Sequence, residues 1–296
     1  MQTNVLIIGL GLLGTSLAMA LKEQKQYRIL AHTRRKEIVE WAVNEGIIEN
    51  ESLNSLDELL SKADVIVIAL PIPATVEFLQ KNADKIKPSC VVTDIGSTKK
   101  SFMEAAEKFL AARNIAYVGS HPMAGTEKSG PFNAFKTLYD NADVFLCSDE
   151  FEKNSDFVEK IADMWQSIGC QTVKISAASH DKLVAKTSHV AHILASALTV
   201  SVLDYGNKSD NFHGCASGFR DTSRTASSDP VMWREIVELN RDAVLEALDK
   251  FEFEYGKFRV AIENNNFDAF QREFARGRSL RAEWLGYMNS KEKKNG

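Results

Sequence analysis

The sequence has few of the features that mark a secreted, metal-stabilised or nucleic-acid-binding chain. Only four cysteines occur in 296 residues, at positions 90, 147, 170 and 215, and no pair has C-x-x-C or metal-ligand spacing. So small a set argues against a disulfide scaffold or a zinc finger and favours a reduced, cytoplasmic protein. The formal net charge of -4 leaves no basic surface that would attract nucleic acid or an acidic membrane.

Long apolar runs, internal repeats and low-complexity segments are also missing. The N-terminal stretch MQTNVLIIGLGLLG is apolar, but it lacks a basic leader region and glycines interrupt it, which argues against a signal peptide. No run of about 18 apolar residues occurs, so we expect no transmembrane helix. With 44% hydrophobic and 26% charged residues, the composition is that of a soluble globular protein with a substantial core.

Strands and helices are predicted to alternate over the first part of the chain. Apolar runs rich in β-branched residues occur at 4–8, 27–33, 63–71, 88–97, 115–120, 141–148 and 170–176. Segments with helical spacing separate most of these runs. This alternation predicts an α/β fold of Rossmann type, in which a mostly parallel sheet has helices on both faces.

The rest of the chain has a different character, because no convincing strand follows residue 176. We therefore predict an α/β domain over 1–176 and an all-α domain over 177–296. The apolar stripes of the predicted helices exceed what one small bundle needs for its own core. This excess predicts burial against a second subunit in a homodimer, and a self-contained bundle is the alternative.

The GLGLLG stretch places Gly9, Gly11 and Gly14 in G-x-G-x-x-G order between a predicted strand and a predicted helix. In that context, the first glycine permits a tight turn and the second lets a pyrophosphate approach the backbone. The third lets the helix and strand pack closely, and the N-terminus of the helix faces the phosphates. Leu12 and Leu13 lie between these glycines. The stretch therefore predicts a dinucleotide cofactor.

The end of the second predicted strand bears on which dinucleotide binds. An acidic residue there would bind the ribose 2′-hydroxyl of NAD, but this strand ends in AHTRR, without an acid. Thr33 can hydrogen-bond a 2′-phosphate, and Arg34 and Arg35 can pair with it. The pattern favours NADP; the alternative is NAD, with the arginines as solvated surface charges. Leu70 and Pro71, after the third strand, are expected to border the cofactor.

Candidate chemical groups follow the fourth and fifth predicted strands. Ser97 lies in DIGSTKKS, after the fourth strand, and Ser120 and His121 lie in GSHPMAG, at the exit of the fifth. The carboxyl ends of parallel strands meet at one edge of the sheet, where ligands of such folds bind. Histidine is the natural group for taking a proton from a hydroxyl near neutral pH.

The helical half adds histidines and arginines. His189 and His192 are three residues apart, so they share one helix face, and Arg220 and Arg224 are four apart. His180 precedes His189 by nine residues, about two and a half turns, and is expected to face elsewhere or to precede the helix. No carboxylate or cysteine has ligand spacing to these histidines, so we expect no metal.

Five segments in this order resemble the prephenate/arogenate dehydrogenase family of tyrosine biosynthesis: the G-x-G-x-x-G turn, DIGSTK, GSHPMAGTEKSG, HDKLVAKTSHVAH and GFRDTSRTASSDPVMW. The resemblance runs from residue 4 to about residue 240. It implies a Rossmann domain, a helical domain that binds substrate and forms a dimer, and oxidative decarboxylation of prephenate and/or arogenate with hydride transfer to NAD(P). The product would be 4-hydroxyphenylpyruvate or tyrosine. With no chorismate mutase segment before residue 1 and no room for an ACT domain, a monofunctional member is expected.

The resemblance also implies roles for individual side chains. His121 matches the family's catalytic histidine and would take the proton of the substrate's ring hydroxyl, to which Ser97 would hydrogen-bond. Arg224 would hold the ring carboxylate. The implied substrate-binding residues are Arg224, Arg220, His189, His192 and Ser120.

Two questions stay open on the residues alone. An acid near the pocket would favour the ammonium group of arogenate, and Asp221, Asp229 and Glu127 are the candidates; we favour prephenate because that activity is common in the family. The alternative function is that of a β-hydroxyacid dehydrogenase or an imine reductase. These enzymes also join a Rossmann domain to helices and generally use a lysine there, for which Lys182 and Lys186 are the candidates.

Overall fold

A five-stranded parallel sheet forms the centre of the N-terminal half. The structure, a computed structural model, describes residues 2–126, 128–148 and 151–295. The strand order is β2-β1-β3-β4-β5, so the chain reverses its direction of winding between β1 and β3. These strands are β1 (Thr3–Ile8), β2 (Tyr27–His32), β3 (Val65–Ile68), β4 (Val91–Asp94) and β5 (Ala116–Tyr117).

Helices cover both faces of this sheet, because alternate residues of each strand enter different cores. Val5 and Ile7 pack on one face and Leu6 and Ile8 on the other. The first face is covered by α1, α2 and α6, and the second by α3, α4 and α5. The helices are α1 (Leu12–Lys22), α2 (Lys36–Asn44), α3 (Leu56–Lys62), α4 (Ile72–Asn82), α5 (Lys100–Leu110) and α6 (Ser155–Gln166). Of these, α3 is too short for its period to stand out in the sequence.

A second sheet corrects the prediction of one fifth strand over residues 115–120. Its strands are β6 (Gly119–Pro122), β7 (Asp143–Cys147) and β8 (Gln171–Ile175), with β6 antiparallel and β8 parallel to β7. The chain leaves the first sheet after Tyr117, and after Val118 it pairs with β7 instead of β4. Ser120 and His121 therefore lie inside a strand and not beyond the carboxyl end of one.

From residue 177 onward the described chain is helical, as predicted, and one continuous run begins this half. It consists of α7, a π-helical turn over Ala185–His189, and α8. The helices are α7 (Ala177–Val184), α8 (Val190–Leu203), α9 (Lys208–Gly214), α10 (Ser217–Ser223), α11 (Pro230–Leu239), α12 (Arg241–Glu263) and α13 (Phe267–Asn295). The division of the chain into two domains at residue 176 stays a prediction.

By length and composition alone, one described helical run, Ala177–Leu203, could cross a membrane, and 28% of its most apolar window is buried. Core helices of soluble proteins pass the same test, so it does not discriminate between the two. The expectation that no segment crosses a membrane stays a prediction.

Candidate active site

The turn between β1 and α1 has the shape of a dinucleotide cradle. Gly9 has φ +108°, and a Cβ there would lie 2.5 Å from the carbonyl oxygen of Ala69. A Cβ on Gly14 would lie 2.1 Å from the carbonyl oxygen of Gly9, so helix and turn are as close as glycine allows. A Cβ on Gly11 would meet nothing within 4 Å. The open side at Gly11 lies at the N-terminus of α1, so the residues present fit a bound pyrophosphate.

The end of β2 lies beside this turn, because the Gly9 amide donates to the carbonyl oxygen of His32 at 2.8 Å. Thr33 comes next and is half-buried, and Arg34 and Arg35 are exposed. Thr33, Arg34 and Arg35 therefore follow β2 at the edge of the sheet where the glycine turn lies.

The other predicted cofactor residues surround the same turn. Leu12 is buried and Leu13 half-buried in the first turn of α1, where the Leu13 carbonyl accepts the Tyr139 hydroxyl at 2.9 Å. A Cβ on Gly9 would lie 2.9 Å from Cδ2 of Leu70, so this side chain borders the cradle. Pro71 comes next and is exposed at the start of α4.

A chain of hydrogen bonds joins His121 in β6 to the helical half. Nδ1 of His121 lies 2.8 Å from Nε2 of His180, and Nδ1 of His180 lies 2.8 Å from Oδ1 of Asp181. Asp181 also accepts the backbone N–H groups of Lys99 at 2.7 Å and Lys100 at 2.9 Å. The side chains of His121, His180 and Asp181 are all buried. Strand β6, helix α7 and the start of α5 therefore converge at His121.

The protonation states in this chain follow from burial and hydrogen bonding. Burial lowers the pKa of His121 well below its usual range, and His180, Lys99 and His189 lower it further. Burial also lowers the pKa of His180, although the hydrogen bond to Asp181 acts to raise it. Burial acts to raise the pKa of Asp181, but hydrogen bonds from His180 and the two backbone amides hold it below its usual value. Near pH 7, the imidazoles are neutral and the carboxylate is ionised.

A buried ion pair fixes the strand that carries His121. Lys99, which is 0% exposed, bonds to Asp94 and donates to the carbonyl oxygen of Ser120 at 2.7 Å. The Tyr117 hydroxyl donates to Asp94 at 2.6 Å. Because Lys99 and Asp94 satisfy each other and the backbone of β6, they hold the position of His121 relative to the first sheet.

Ser120 does not lie where the sequence predicted. Its side chain is fully buried, its hydroxyl lies 2.7 Å from the Thr93 hydroxyl, and it accepts Nε1–H of Trp165 at 3.1 Å. Successive residues of a strand point to opposite faces, so Ser120 points away from His121. The structure therefore places this hydroxyl in the core and not against a substrate.

Two imidazoles and an indole form a second cluster. The Trp233 ring stacks on His192 with centroids 3.9 Å apart and stands edge-on to His189 at 5.8 Å. Asn240 Nδ2 donates to the Asp181 carbonyl oxygen at 2.8 Å and lies 3.3 Å from Nδ1 of His189. Because the Asn240 amide nitrogen is the donor, Nδ1 of His189 accepts and its ring proton is on Nε2.

This second cluster contains a neutral histidine and two N–H groups that donate no hydrogen bond within the described residues. Burial lowers the pKa of His189 to about 4, so the ring is neutral near pH 7. Among the residues that the structure describes, neither Nε2 of His189 nor Nε1 of Trp233 has a hydrogen-bond partner. Two buried N–H groups in one cluster suit a ligand that brings oxygen acceptors.

His180 was expected to face elsewhere than His189 and His192 or to precede the helix; it lies inside α7 and contacts His121. The residue is fully buried against His121 and Phe145, whose ring centroid lies 5.5 Å away. The π-helical turn over Ala185–His189, which follows His180, takes one residue more than an α turn. The extra residue rotates the later part of the helix by about 100°, so His180 and His189 are roughly 80° apart and not on opposite faces.

The remaining predicted site residues are Ser97, Arg224 and Arg220, and they lie in different surroundings. Ser97 is half-buried in the loop between β4 and α5. Arg224 begins a short 3₁₀ turn, 224–227, that packs on α8. Burial lowers the pKa of His192, although its hydrogen bond to the Ser188 carbonyl acts to raise it, and the charge of Arg224 lowers it further. The Arg220 side chain is 82% exposed and lies 3.8 Å from Asp221, at the surface.

The acids and lysines that the sequence left open have other positions. Asp229 accepts the N–H groups of Val231 and Met232 and caps α11. Glu127 lies outside the described residues. Lys182 and Lys186 are both exposed, so neither has the buried position that a catalytic lysine would need.

As a class, this is the architecture of dehydrogenases that join a Rossmann domain to a helical domain. Two family models match the chain: one described as "Prephenate dehydrogenase, nucleotide-binding domain" over residues 17–174, and one described as "Prephenate dehydrogenase, dimerization domain" over residues 176–276. The chain belongs to the prephenate dehydrogenase family. The family and the fold class predicted from the sequence are confirmed.

Individual relatives agree with this assignment. The prephenate dehydrogenase of Lactococcus lactis subsp. cremoris is 31% identical over 281 residues, which are 94% of this chain and 76% of that protein. The cyclohexadienyl dehydrogenase of Zymomonas mobilis is 30% identical over 280 residues, 94% of both chains. The crystal structure of prephenate dehydrogenase from A. aeolicus, in complex with hydroxyphenyl propionate and NAD+, matches with a TM-score of 0.84 and 27% identity, covering 96% of this chain and 98% of that one.

Proposed function

We propose that this chain catalyses the oxidative decarboxylation of prephenate, with arogenate as the second candidate substrate, and transfers a hydride to NAD(P). One observation carries the proposal: a neutral, buried histidine of the α/β half is hydrogen-bonded to the helical half at 2.8 Å. A base at that junction can reach a ring held between the two halves.

The proposed chemistry asks the protein mainly to position groups and to hold a proton. A bound nicotinamide supplies the acceptor for the hydride that leaves the ring carbon. His121 takes the proton of the ring hydroxyl as its oxygen becomes a carbonyl. Arg224 orients the ring carboxylate until it departs as carbon dioxide, which leaves the ring aromatic. His121 then returns the proton to the phenolate oxygen, so the protein ends unchanged.

We propose substrate contacts from several elements. Ser97 hydrogen-bonds the ring hydroxyl, and the guanidinium of Arg224 forks onto the ring carboxylate. His192 lines the pocket beside Arg224, and Arg220, at the surface, is assigned to the pocket entrance. The unused N–H groups of His189 and Trp233 are suited to carbonyl and carboxylate oxygens of the substrate side chain.

The surroundings favour prephenate over arogenate. An ammonium group needs an acceptor, but among the described candidates Asp229 is engaged as a helix cap and Asp221 lies beside Arg220. Prephenate carries a keto group and a carboxylate, both acceptors, on the side chain that the two N–H donors would meet.

For the cofactor we propose a preference for NADP, with NAD as the alternative. Support comes from Thr33, Arg34 and Arg35, which follow β2 beside the glycine turn, where the strand itself ends without an acid that would repel a 2′-phosphate. Arg34→Ala is expected to raise KM for NADP far more than KM for NAD. Equal effects on the two constants would remove the 2′-phosphate argument.

We also propose a homodimer formed through the helical half, where the second matched family model is a dimerization domain. Large apolar side chains stand exposed along the last two helices. Members more than half exposed are Phe253, Tyr255, Val260, Ile262, Phe267, Phe274, Leu280, Trp284 and Tyr287. A surface this apolar is suited to a second copy of the chain.

The direct test is a matrix of two substrates and two cofactors, followed by the absorbance of reduced nicotinamide. Turnover of prephenate or arogenate is expected, and turnover of small hydroxyacids alone would refute the proposal. His121→Asn should lower kcat by about 10²–10⁴ and leave cofactor affinity intact. His213→Asn, at an exposed position in α9, is the matched control.

A further inference from the structure

We propose that Asp181 and His180 are positioning residues that keep Nε2 of His121 unprotonated and share the positive charge while His121 holds the substrate proton. The inference rests on the proposed function only in that His121 is the base. Neither His180 nor Asp181 needs to touch substrate for this role.

The direction of each hydrogen follows from Asp181. Its Oδ1 accepts the Lys99 N–H at 2.7 Å and its Oδ2 accepts the Lys100 N–H at 2.9 Å. Both oxygens are thus acceptors of backbone donors, which is the pattern of an ionised carboxylate. Nδ1 of His180, 2.8 Å from Oδ1, must therefore carry a hydrogen and donate it.

The positions of the other two hydrogens depend on the chemistry of a neutral imidazole, which carries one ring hydrogen. With its hydrogen on Nδ1, His180 presents Nε2 as an acceptor. Nδ1 of His121 lies 2.8 Å from that nitrogen, so Nδ1 of His121 carries the hydrogen. The lone pair of His121 is then on Nε2, which is the form that a general base requires.

The same hydrogen bonds stabilise His121 when its ring carries a positive charge. When the hydroxyl O–H bond breaks and an N–H bond forms at Nε2, His121 becomes an imidazolium, and its Nδ1–H points at His180. His180 can share that proton because its own Nδ1–H is bonded to the anion of Asp181. The sharing reverses when Nε2 returns its proton to the phenolate oxygen, so no proton leaves the site.

The groups around the pair make this counter-charge necessary. Lys99 and His189 disfavour charge on His121, and Lys99 is itself paired with Asp94. Phe145 packs edge-on against His180 and adds no charge. Asp181 is the anion bonded directly to the histidine pair, and the start of α5 holds its two oxygens in place.

The first test uses the wild-type protein without substrate, so it does not depend on activity. Nitrogen-15 NMR of the histidine rings, with His121 assigned by the loss of its signals in His121→Asn, distinguishes protonated from unprotonated ring nitrogens. At pH 7, we expect His121 to carry its hydrogen on Nδ1. A hydrogen on Nε2 would overturn the inference even if the enzyme turned over prephenate, and failure of the proposed function would leave this measurement intact.

The second test is Asp181→Asn, because an amide cannot accept from His180 and from both backbone N–H groups at once. We expect kcat to fall by up to about 10⁴, the loss that follows when an orienting aspartate is replaced by asparagine in a catalytic triad. KM for the substrate should change little. The acidic limb of the kcat/KM profile should move to lower pH, because the imidazolium loses its counter-charge.

Asp64→Asn is the matched control, because Asp64 likewise accepts a backbone N–H, from Asn4 at 2.9 Å, and pairs with Lys87 at 2.7 Å. It should shift neither the ring hydrogen nor the acidic limb. If Asp181→Asn folds and keeps both at their wild-type positions, the two residues are structural only. If it does not fold, the wild-type spectrum decides.

Discussion

Alanine at Gly11 and alanine at Gly14 are predicted to separate cofactor binding from folding. A Cβ at Gly14 would lie 2.1 Å from the carbonyl oxygen of Gly9 and 3.1 Å from Cβ of Ala69, both of which are fixed by the sheet. A Cβ at Gly11 would meet nothing within 4 Å. Gly11 also has φ -88° and ψ -166°, an extended conformation that alanine adopts without strain.

These distances set the expected stabilities. Gly14→Ala forces α1 away from the turn, and overpacking of this kind costs about 1–3 kcal/mol. In a chain of this size each kcal/mol lowers Tm by about 2–4 °C. Gly11→Ala should leave the free energy of unfolding unchanged, or raise it by about 0.4–1 kcal/mol through the loss of unfolded-state entropy.

Gly11→Ala, which should not destabilise the fold, is expected to weaken cofactor binding. The Gly11 methyl group would occupy the space through which a pyrophosphate reaches the N-terminus of α1. We expect Kd for NAD or NADP to rise at least tenfold, about 1.4 kcal/mol. Thermal unfolding without cofactor and fluorescence titration with the reduced cofactor measure the two effects. Wild-type cofactor binding by Gly11→Ala, or unfolding of that variant as early as Gly14→Ala, would refute the reasoning.

Three further predictions concern the core, the histidines and the exposed helices. Ser120→Ala strands the hydroxyl of Thr93 and the indole N–H of Trp165, so urea unfolding should show a loss of about 1–3 kcal/mol with kcat within about twofold of wild type; a large fall in kcat would return Ser120 to the substrate pocket. The pKa of His189 is about 4 in the fold and about 6.5 when unfolded, so the unfolded chain binds more protons between these values. The stability that neutral His189 contributes is therefore complete above pH 6.5 and is lost as pH falls towards 4. In urea titrations from pH 4.5 to 7, His189→Gln should reduce the change in the free energy of unfolding over this range by about 1–3 kcal/mol. An unreduced change in the variant would contradict the prediction. Phe274→Glu, on α13, should dissociate the proposed dimer in sedimentation experiments, whereas Leu53→Glu, equally apolar and exposed in the other half, should not; a dimer that survives Phe274→Glu would move the interface elsewhere.

Features with local causes were predictable from the sequence. The glycine turn, β1 and α1 follow from spacing over fewer than twenty residues, and the change to helices after residue 176 follows from periodicity. The placement of His189 and His192 on one face also follows from their spacing, because no irregular turn separates them.

Features with distant causes were not predictable in the same way. The split between β5 and β6 depends on which partner strand each segment finds, and β7 lies more than twenty residues further on. Lysine side chains are usually exposed, and Lys99 is buried only because Asp94 and the carbonyl group of Ser120 bind its ammonium group. The contact between His180 and His121 could not be read from spacing, because the two residues are 59 positions apart in the chain.

The π-helical turn at Ala185–His189 absorbs one residue of the helix. If the same sequence wound as an uninterrupted α helix, everything up to Leu203 would rotate by about 100° relative to His180, and His192 would turn away from Trp233. Deletion of one residue within the turn would instead leave an α helix in which the direction of His192 relative to His180 is kept. Alignments that close a one-residue gap in this helix therefore compare side chains that point in different directions.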